Sequence, residues 1–441
     1  MFLQINDRLL AIEHRSRATD SRQGPIMTDQ TAFMFTCCQP GSETALKNEL
    51  AVQWPNFRFA FSRPGFVTFK TDKKQLAEDF DLRSVFATTY GVSLGKVQST
   101  DALQMARDVW QAVAGQSFDG IHVWQRSGQI AGNHGFEPGE TLLAREVGQL
   151  IASAAPSELG SLPINQTGRA GQRILDCVLV EPSSWWYGVH QVGRFSSRYP
   201  GGVLPLELPE HAVSRAYLKL AESLEWSRLP IQEGDACVEI GSSPGGSCQA
   251  MLDRGLRVTG IDPAEMDPAV LEHPNFSHIR ARGSELKRRF YADFKWLMAD
   301  SSVAPKHTLD TVEHIVTHPS VNIKGLVLTL KLLEWKLADD IPAFLDRIRS
   351  WGFEYVKARQ LVYNRQEICV AALRRKSMIR EPQWRQKKLT KPDRSVVKST
   401  PQVEGGNEES LSTETDAAHT PTPEAPTPEA PTPEAPTPEA P

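Results

Sequence analysis

Residues Val238–Asp262 read VEIGSSPGGSCQAMLDRGLRVTGID. An apolar strand runs into a glycine-rich loop, a short helix and a second strand that ends on an acid. Backbone amides at a strand-to-helix turn, together with the helix start, make a site for polar or anionic ligand groups. Gly241, Gly245 and Gly246 let a ligand pass close to the chain without meeting a Cβ. Asp262 closes the second strand, where a carboxylate can accept both hydroxyls of a ribose. The chemistry of the stretch is that of a nucleoside cofactor. A turn that binds nothing is the plain alternative.

The loop spacing separates the cofactors. The dinucleotide fingerprint is G-x-G-x-x-G, whereas this loop runs Gly241-Ser242-Ser243-Pro244-Gly245-Gly246. Glu239, two residues before the first glycine, would repel a pyrophosphate and suit a cationic aminoacyl group. S-adenosylmethionine carries an ammonium and a sulfonium and no phosphate, so it is favoured over a nicotinamide dinucleotide. The expected cofactor contacts are Glu239, Gly241, Ser243, Pro244, Gly245, Gly246, Ser247, Asp262 and Asp300. Lys331 is unusual on its own terms. It closes the apolar run LVLTLKLL, and a cation there needs a partner or a purpose. A single Lys or Asp at a strand end otherwise reads as a solvated surface group.

The elements around these residues alternate strand and helix from His211 onward, the pattern of a doubly wound α/β sheet. ACVEIG, RVTGID, FKWLMAD and GLVLTLKL are the parallel strands, and FEYVKARQLV with EICVAALRR closes the sheet as an antiparallel hairpin. Residues 31–193 mix strands, hairpins and helices in an α+β layout. In that region Ser42 is placed to cap the helix ETALKNELAVQW, with Glu43 in its first turn. The organisation expected is a disordered extension over 1–30, an α+β domain over 31–193, a Pro/Gly-rich linker over 194–210 and the α/β domain over 211–376. A basic extension over 377–400 and a disordered acidic tail over 401–441 with PTPEA repeats follow. Met27 is an alternative start to Met1.

Composition narrows the class. The chain of 441 residues carries 23% charged and 40% hydrophobic residues, as globular proteins do. Its net charge of -4 conceals an asymmetry. Residues 401–441 hold nine acids and no Lys or Arg, which leaves residues 1–400 at +5. Arg374–Lys398 alone has ten Lys and Arg against two acids, a pattern suited to a polyanion or simply to solvent. The six cysteines form no C-x-x-C pair and read as buried free thiols. No apolar run approaches a membrane span and no secretory leader is visible, so a cytoplasmic protein is expected.

The segments SRAYLKLAE (Ser214–Glu222) and VEIGSSPGGSCQ together resemble the FtsJ/RrmJ-type RNA ribose 2′-O-methyltransferases. The match continues in MAD, LTLKL and NRQEICV and covers roughly residues 194–375. The resemblance implies a Rossmann-like methyltransferase sheet, S-adenosylmethionine as cofactor and a catalytic set of Lys219, Asp300, Lys331 and Glu367. It assigns Lys331 as general base. Residues 31–193, through CCQPGSETALKNEL and ILDCVLVEPSSWWYGVH, resemble the THUMP-type RNA-binding region of family members that act on large-subunit ribosomal RNA. The implied partner is that RNA, the implied protein is a monomer, and no metal is needed for the reaction.

Residue chemistry agrees with those roles. A ribose 2′-hydroxyl needs a base and nearby positive charge. A lysine becomes a base only when its pKa falls, and a second ammonium close by would lower it. One departure stands out: Arg282 occupies the place where an adenine-reading acid is expected, with Glu285 displaced. A non-catalytic RNA-binding or ribosome-assembly factor that keeps the fold is the competing reading, and a nicotinamide-dependent oxidoreductase a weaker one.

Overall fold

A computed structural model describes residues 31–76, 80–193 and 195–375. The expectations about the N-terminal extension, the basic extension and the acidic tail lie outside these residues.

The first half builds one seven-stranded sheet. Its elements are β1 (Thr31–Cys38), α1 (Glu43–Gln53), β2 (Arg58–Arg63), β3 (Phe66–Asp72), β4 (Ala87–Gln98), α2 (Ala102–Ala112), β5 (Gly120–Gln125), α3 (Leu142–Ser153), β6 (Arg173–Glu181) and β7 (Ser184–Gln191). The strand order is β2-β3-β1-β4-β7-β6-β5. All pairings are antiparallel except β5 with β6. Asp101 and Thr141 cap α2 and α3 by accepting backbone N–H groups of Gln104 and Ala144. Ser42 does not cap α1. Its hydroxyl donates instead to the Gln39 carbonyl at 2.7 Å, and Glu43 takes the amides of Gly41 and Gly65. Strand alternation sends Cys37 and Cys38 into different clusters, as expected of neighbours on a strand, and all six cysteines are buried and free.

The second half is α4 (Ala216–Ser227), β8 (Ala236–Ile240), α5 (Gly246–Leu252), β9 (Arg257–Ile261), α6 (Pro268–Leu271), β10 (Phe276–Ile279), β11 (Trp296–Ala299), α7 (Pro305–Val316), β12 (Gly325–Lys331), α8 (Ile341–Ser350), β13 (Tyr355–Arg359) and β14 (Glu367–Leu373). Its sheet runs β10-β9-β8-β11-β12-β14-β13. β8 to β12 are parallel and β14 is antiparallel to both neighbours. The order reverses between β8 and β11, so the crevice beyond their carboxyl ends is the place for a ligand. The central strands are buried on both faces, which explains their continuous apolar runs.

Both halves share one apolar cluster. Leu46, Leu50, Phe69 and Phe86 belong to it together with Val238, Leu328, Ile348 and Ile368. Among the described residues no helix is long and apolar enough to cross a membrane.

Candidate active site

Lys331 is the last residue of β12 and Glu367 the first of β14, and the antiparallel register sets them directly opposite each other. Asp300 follows β11, whose partners are β8 and β12. Lys219 reaches in from the first turns of α4. The four side chains close a ring of alternating charge. Lys219 Nζ lies 2.6 Å from Glu367 Oε1 and 3.3 Å from Asp300 Oδ2. Lys331 Nζ lies 3.1 Å from Asp300 Oδ1 and also pairs with Glu367 Oε2. Glu367 is buried; the other three are partly accessible, their side chains 16–19% exposed. All four residues singled out in the sequence thus meet.

The ring changes one expectation. Burial acts to lower the Lys331 pKa, but Asp300 and Glu367 outweigh it and hold the ammonium above its ordinary value. Two bare ammoniums would have done the opposite; two interposed carboxylates reverse the sign. Burial likewise acts to raise Asp300, and Lys219 and Lys331 overcome it, so its pKa is lowered and it is ionised at neutral pH.

The glycine loop joins β8 to α5 beside this ring. Asp262, just past β9, accepts the Ser243 amide at 3.2 Å and the Ala264 amide at 2.8 Å. Ser243 Oγ donates to the Glu265 carbonyl, and Pro244 and Gly245 complete the turn into α5. The reason for glycine proves to be largely internal. At Gly241, with φ of +82°, a Cβ would lie 2.8 Å from the Asp300 carbonyl. At Gly246 it would lie 2.2 Å from Ser214 Oγ and 2.6 Å from the Ser214 carbonyl. These contacts bring the approach to α4, and hence Lys219, onto the loop.

Glu239 also sits differently from its expected role. Its carboxylate is 1% exposed and lies under the loop, accepting from Ser247 Oγ and from Cys248 Sγ at 2.9 Å. Burial pushes its pKa up to about 7. It braces the start of α5. Arg282 is exposed, its amide held by Glu285 at 2.9 Å.

The loop offers no cation to a phosphate among residues 241–247, and Asp262 retains lone pairs beyond the two amides it accepts. These groups fit a phosphate-free, positively charged nucleoside. Comparison with known proteins points the same way: residues 212–392 match the family model described as FtsJ-like methyltransferase. This stretch is similar to the FtsJ-like methyltransferases. Over 180 residues the chain is 30% identical to the ribosomal RNA large subunit methyltransferase M of Halorhodospira halophila, covering 40% of this chain and 51% of that protein. The protein of the same name from Tolumonas auensis is 24% identical over 366 residues, covering 76% of this chain and 93% of its own length. The chain thus spans about half the length of the first of these relatives. Among solved structures, TrmN from Thermus thermophilus aligns with 78% of this chain and 99% of its own at 13% identity and a TM-score of 0.31.

Sequence reasoning missed what holds the β13–β14 hairpin that carries Glu367. The loop between β13 and β14 is gripped from the first half of the chain: Gln360 donates its amide to the Val85 carbonyl at 2.8 Å. Arg365 donates to the carbonyls of Ala131 at 3.1 Å and Gly132 at 2.8 Å. Buried Glu222, one helical turn beyond Lys219, accepts the amides of Val362 and Tyr363, each at 3.0 Å. No local pattern announces these contacts; the one visible signal was an acid on the buried side of α4.

Proposed function

We propose that this chain transfers a methyl group from S-adenosylmethionine to a ribose 2′-hydroxyl of RNA, with large-subunit ribosomal RNA as substrate. The observation that carries this reading is the Lys219–Asp300–Lys331–Glu367 ring at the mouth of the crevice beside the glycine loop. The loop residues 241–247 and Asp262 would hold the cofactor, which supplies an electrophilic methyl group when bound. Lys331 Nζ is the acceptor of the hydroxyl proton. While both carboxylates touch it the amine stays protonated, so the incoming ribose must displace one of them before Lys331 can act. Lys219 then provides the neighbouring positive charge that keeps the freed amine from recapturing a proton early. Asp300 and Glu367 orient the two ammoniums, and the rest of the rate comes from positioning.

The substrate class rests on the relatives' names and on a partly exposed patch of the first sheet. There Phe61 and Trp186 stack at 5.3 Å between ring centroids. Arg63 lies 4.8 Å over Phe61 and Lys96 6.0 Å over Trp186. Register places Lys70 and exposed Phe33 on the same face. Partly exposed rings flanked by cations suit single-stranded RNA, whose bases stack and whose phosphates need neutralising. The α+β half is read as the THUMP-like RNA-binding region, in a monomeric cytoplasmic protein.

The test is methyl transfer from labelled S-adenosylmethionine to ribosomal RNA prepared from cells lacking this protein, followed by nuclease digestion. One 2′-O-methylated nucleoside is expected. Label on a base rejects the ribose assignment. Cofactor binding by calorimetry without any transfer favours the non-catalytic assembly factor.

A further inference from the structure

Three buried side chains in the first sheet have no part in the site described above. His122 on β5, Asp176 on β6 and His190 on β7 occupy three adjacent strands and are 1%, 0% and 8% exposed. His122 stands opposite Asp176 in the β5–β6 register, and His190 opposite the residue two before Asp176 on β6. Strand alternation therefore turns all three to one face.

Their outer nitrogens are committed. His122 Nε2 lies 3.0 Å from the Gln166 carbonyl and His190 Nε2 lies 2.8 Å from the Ser197 carbonyl. A carbonyl can only accept, so both Nε2 atoms carry protons and both Nδ1 atoms face inward. His190 Nδ1 is 2.7 Å from Asp176 Oδ2. His122 Nδ1 and Asp176 Oδ1 have no hydrogen-bond partner, although both are buried. A proton shared between His190 and Asp176 explains one contact and leaves two acceptors facing the same small space. Buried acceptors without a donor are costly, and a cation among them satisfies every one.

The arrangement is that of a metal site with its outer hydrogen bonds already made. Metal-bound imidazoles typically donate their second N–H to a backbone carbonyl, which fixes tautomer and ring angle. One ligand atom from each residue falls in a group no wider than 4.8 Å. Bonds of about 2.0–2.1 Å around a tetrahedral ion put ligand atoms roughly 3.3 Å apart, so the shell forms when the wider gaps contract and the 2.7 Å His190–Asp176 contact opens to admit the ion. Two imidazoles and one carboxylate suit zinc, with water in the fourth position. A cavity of about 210 Å³ lined by Gly91, His190 and Ser197 among others adjoins the His190 side of the group. On its wall Gly91 leaves room for the carboxylate, since a Cβ there would stand 3.1 Å from Asp176 Oδ2.

We propose that His122, Asp176 and His190 bind one zinc ion that ties β5, β6 and β7 together and, through the Ser197 carbonyl, anchors the segment leading to the methyltransferase domain. The role is structural and independent of methyl transfer.

The test uses the untagged full-length protein. Elemental analysis should find about one zinc per chain, and cobalt added after chelation should give the intense visible absorption of a tetrahedral site. Chelation should lower the melting temperature by several degrees, and zinc should restore it. Asp176→Asn and His122→Gln should each abolish the cobalt signal. Zinc at background in the wild type, with no cobalt absorption, overturns the proposal and leaves a water among the three residues. That measurement decides the matter even if the variants fail to fold. Metal retained in both variants places the ion elsewhere and equally overturns it.

Discussion

Gln39, in the turn after β1, donates its side-chain amide to the Leu361 carbonyl at 2.5 Å across 322 residues of sequence. Leu361 belongs to the loop that delivers Glu367 to the tetrad, and Arg365 is held from the same half of the molecule. The first half therefore shapes the β13–β14 hairpin directly. Gln39→Ala and Arg365→Ala should each lower kcat by about 10- to 100-fold through misplacement of Glu367. S-adenosylmethionine affinity, measured by calorimetry, should stay within about two-fold because Asp262 and the glycine loop are untouched. Unchanged kcat in both variants would show that the seam is only packing.

Lys331→Ala should abolish transfer while cofactor affinity stays nearly intact. Lys331→Arg should not rescue it, since a guanidinium cannot give up its proton at any working pH. The raised Lys331 pKa also has a kinetic consequence. If the free amine is the base, the active fraction below that pKa grows about ten-fold per pH unit, so log kcat should climb with near-unit slope above neutrality. A flat single-turnover profile would transfer the role to a carboxylate of the ring.

Gly246→Ala probes how α4 meets the loop. A Cβ 2.2 Å from Ser214 Oγ must push the two apart, and Ser214 lies five residues before Lys219. Overpacking of this kind costs about 1–3 kcal/mol. Stability, cofactor binding and turnover should fall together. A variant with normal cofactor affinity and turnover would mean that the contact relaxes without moving Lys219.

Buried Glu239 gives a pH-dependent stability with a definite sign. Its pKa is raised from 4.5 to about 7, so the folded state binds the proton more tightly than the unfolded chain. That contribution is fully present below the unfolded value and is lost as pH rises through about 7. Glu239→Gln, which imitates the neutral acid, should match the wild type near pH 4 and gain on it by up to ~3 kcal/mol near pH 8. Urea unfolding at the two pH values measures this difference, and an equal gap at both would refute the assignment to Glu239.

Beside the partly exposed Phe61–Trp186 stack, Arg63→Glu and Lys96→Glu should weaken RNA binding about ten-fold or more together. They should also flatten its salt dependence, since each cation neutralised by a phosphate contributes to the slope. Methyl transfer to a short RNA fragment that cannot reach this face should be unaffected. Equal RNA affinity across salt concentrations would remove the face from the substrate path.

Much of this architecture was legible locally. Strands and helices that bury one face announce themselves through residues two or about four apart, and so the alternating order after His211 and the hairpins of β2–β3 and β6–β7 could be read directly. The tetrad followed from strand ends plus a family resemblance. β4 escaped, because Thr88, Thr89, Gly91 and Gly95 dilute its apolar alternation, and it is a strand chiefly because β1 and β7 flank it.

By itself, then, the order of residues determined most of the strands and where a glycine loop must turn, and with the family resemblance it singled out the four charged side chains. Tertiary structure alone decided that two carboxylates stand between two ammoniums and raise Lys331, that Glu239 braces the loop from beneath, and that Gln39 grips Leu361. Only packing brought His122, Asp176 and His190 onto one face. The physical reason is range. Helix and strand preferences act over a few neighbouring residues, whereas pKa direction and loop position depend on groups tens to hundreds of residues away whose distance is set when separate elements pack.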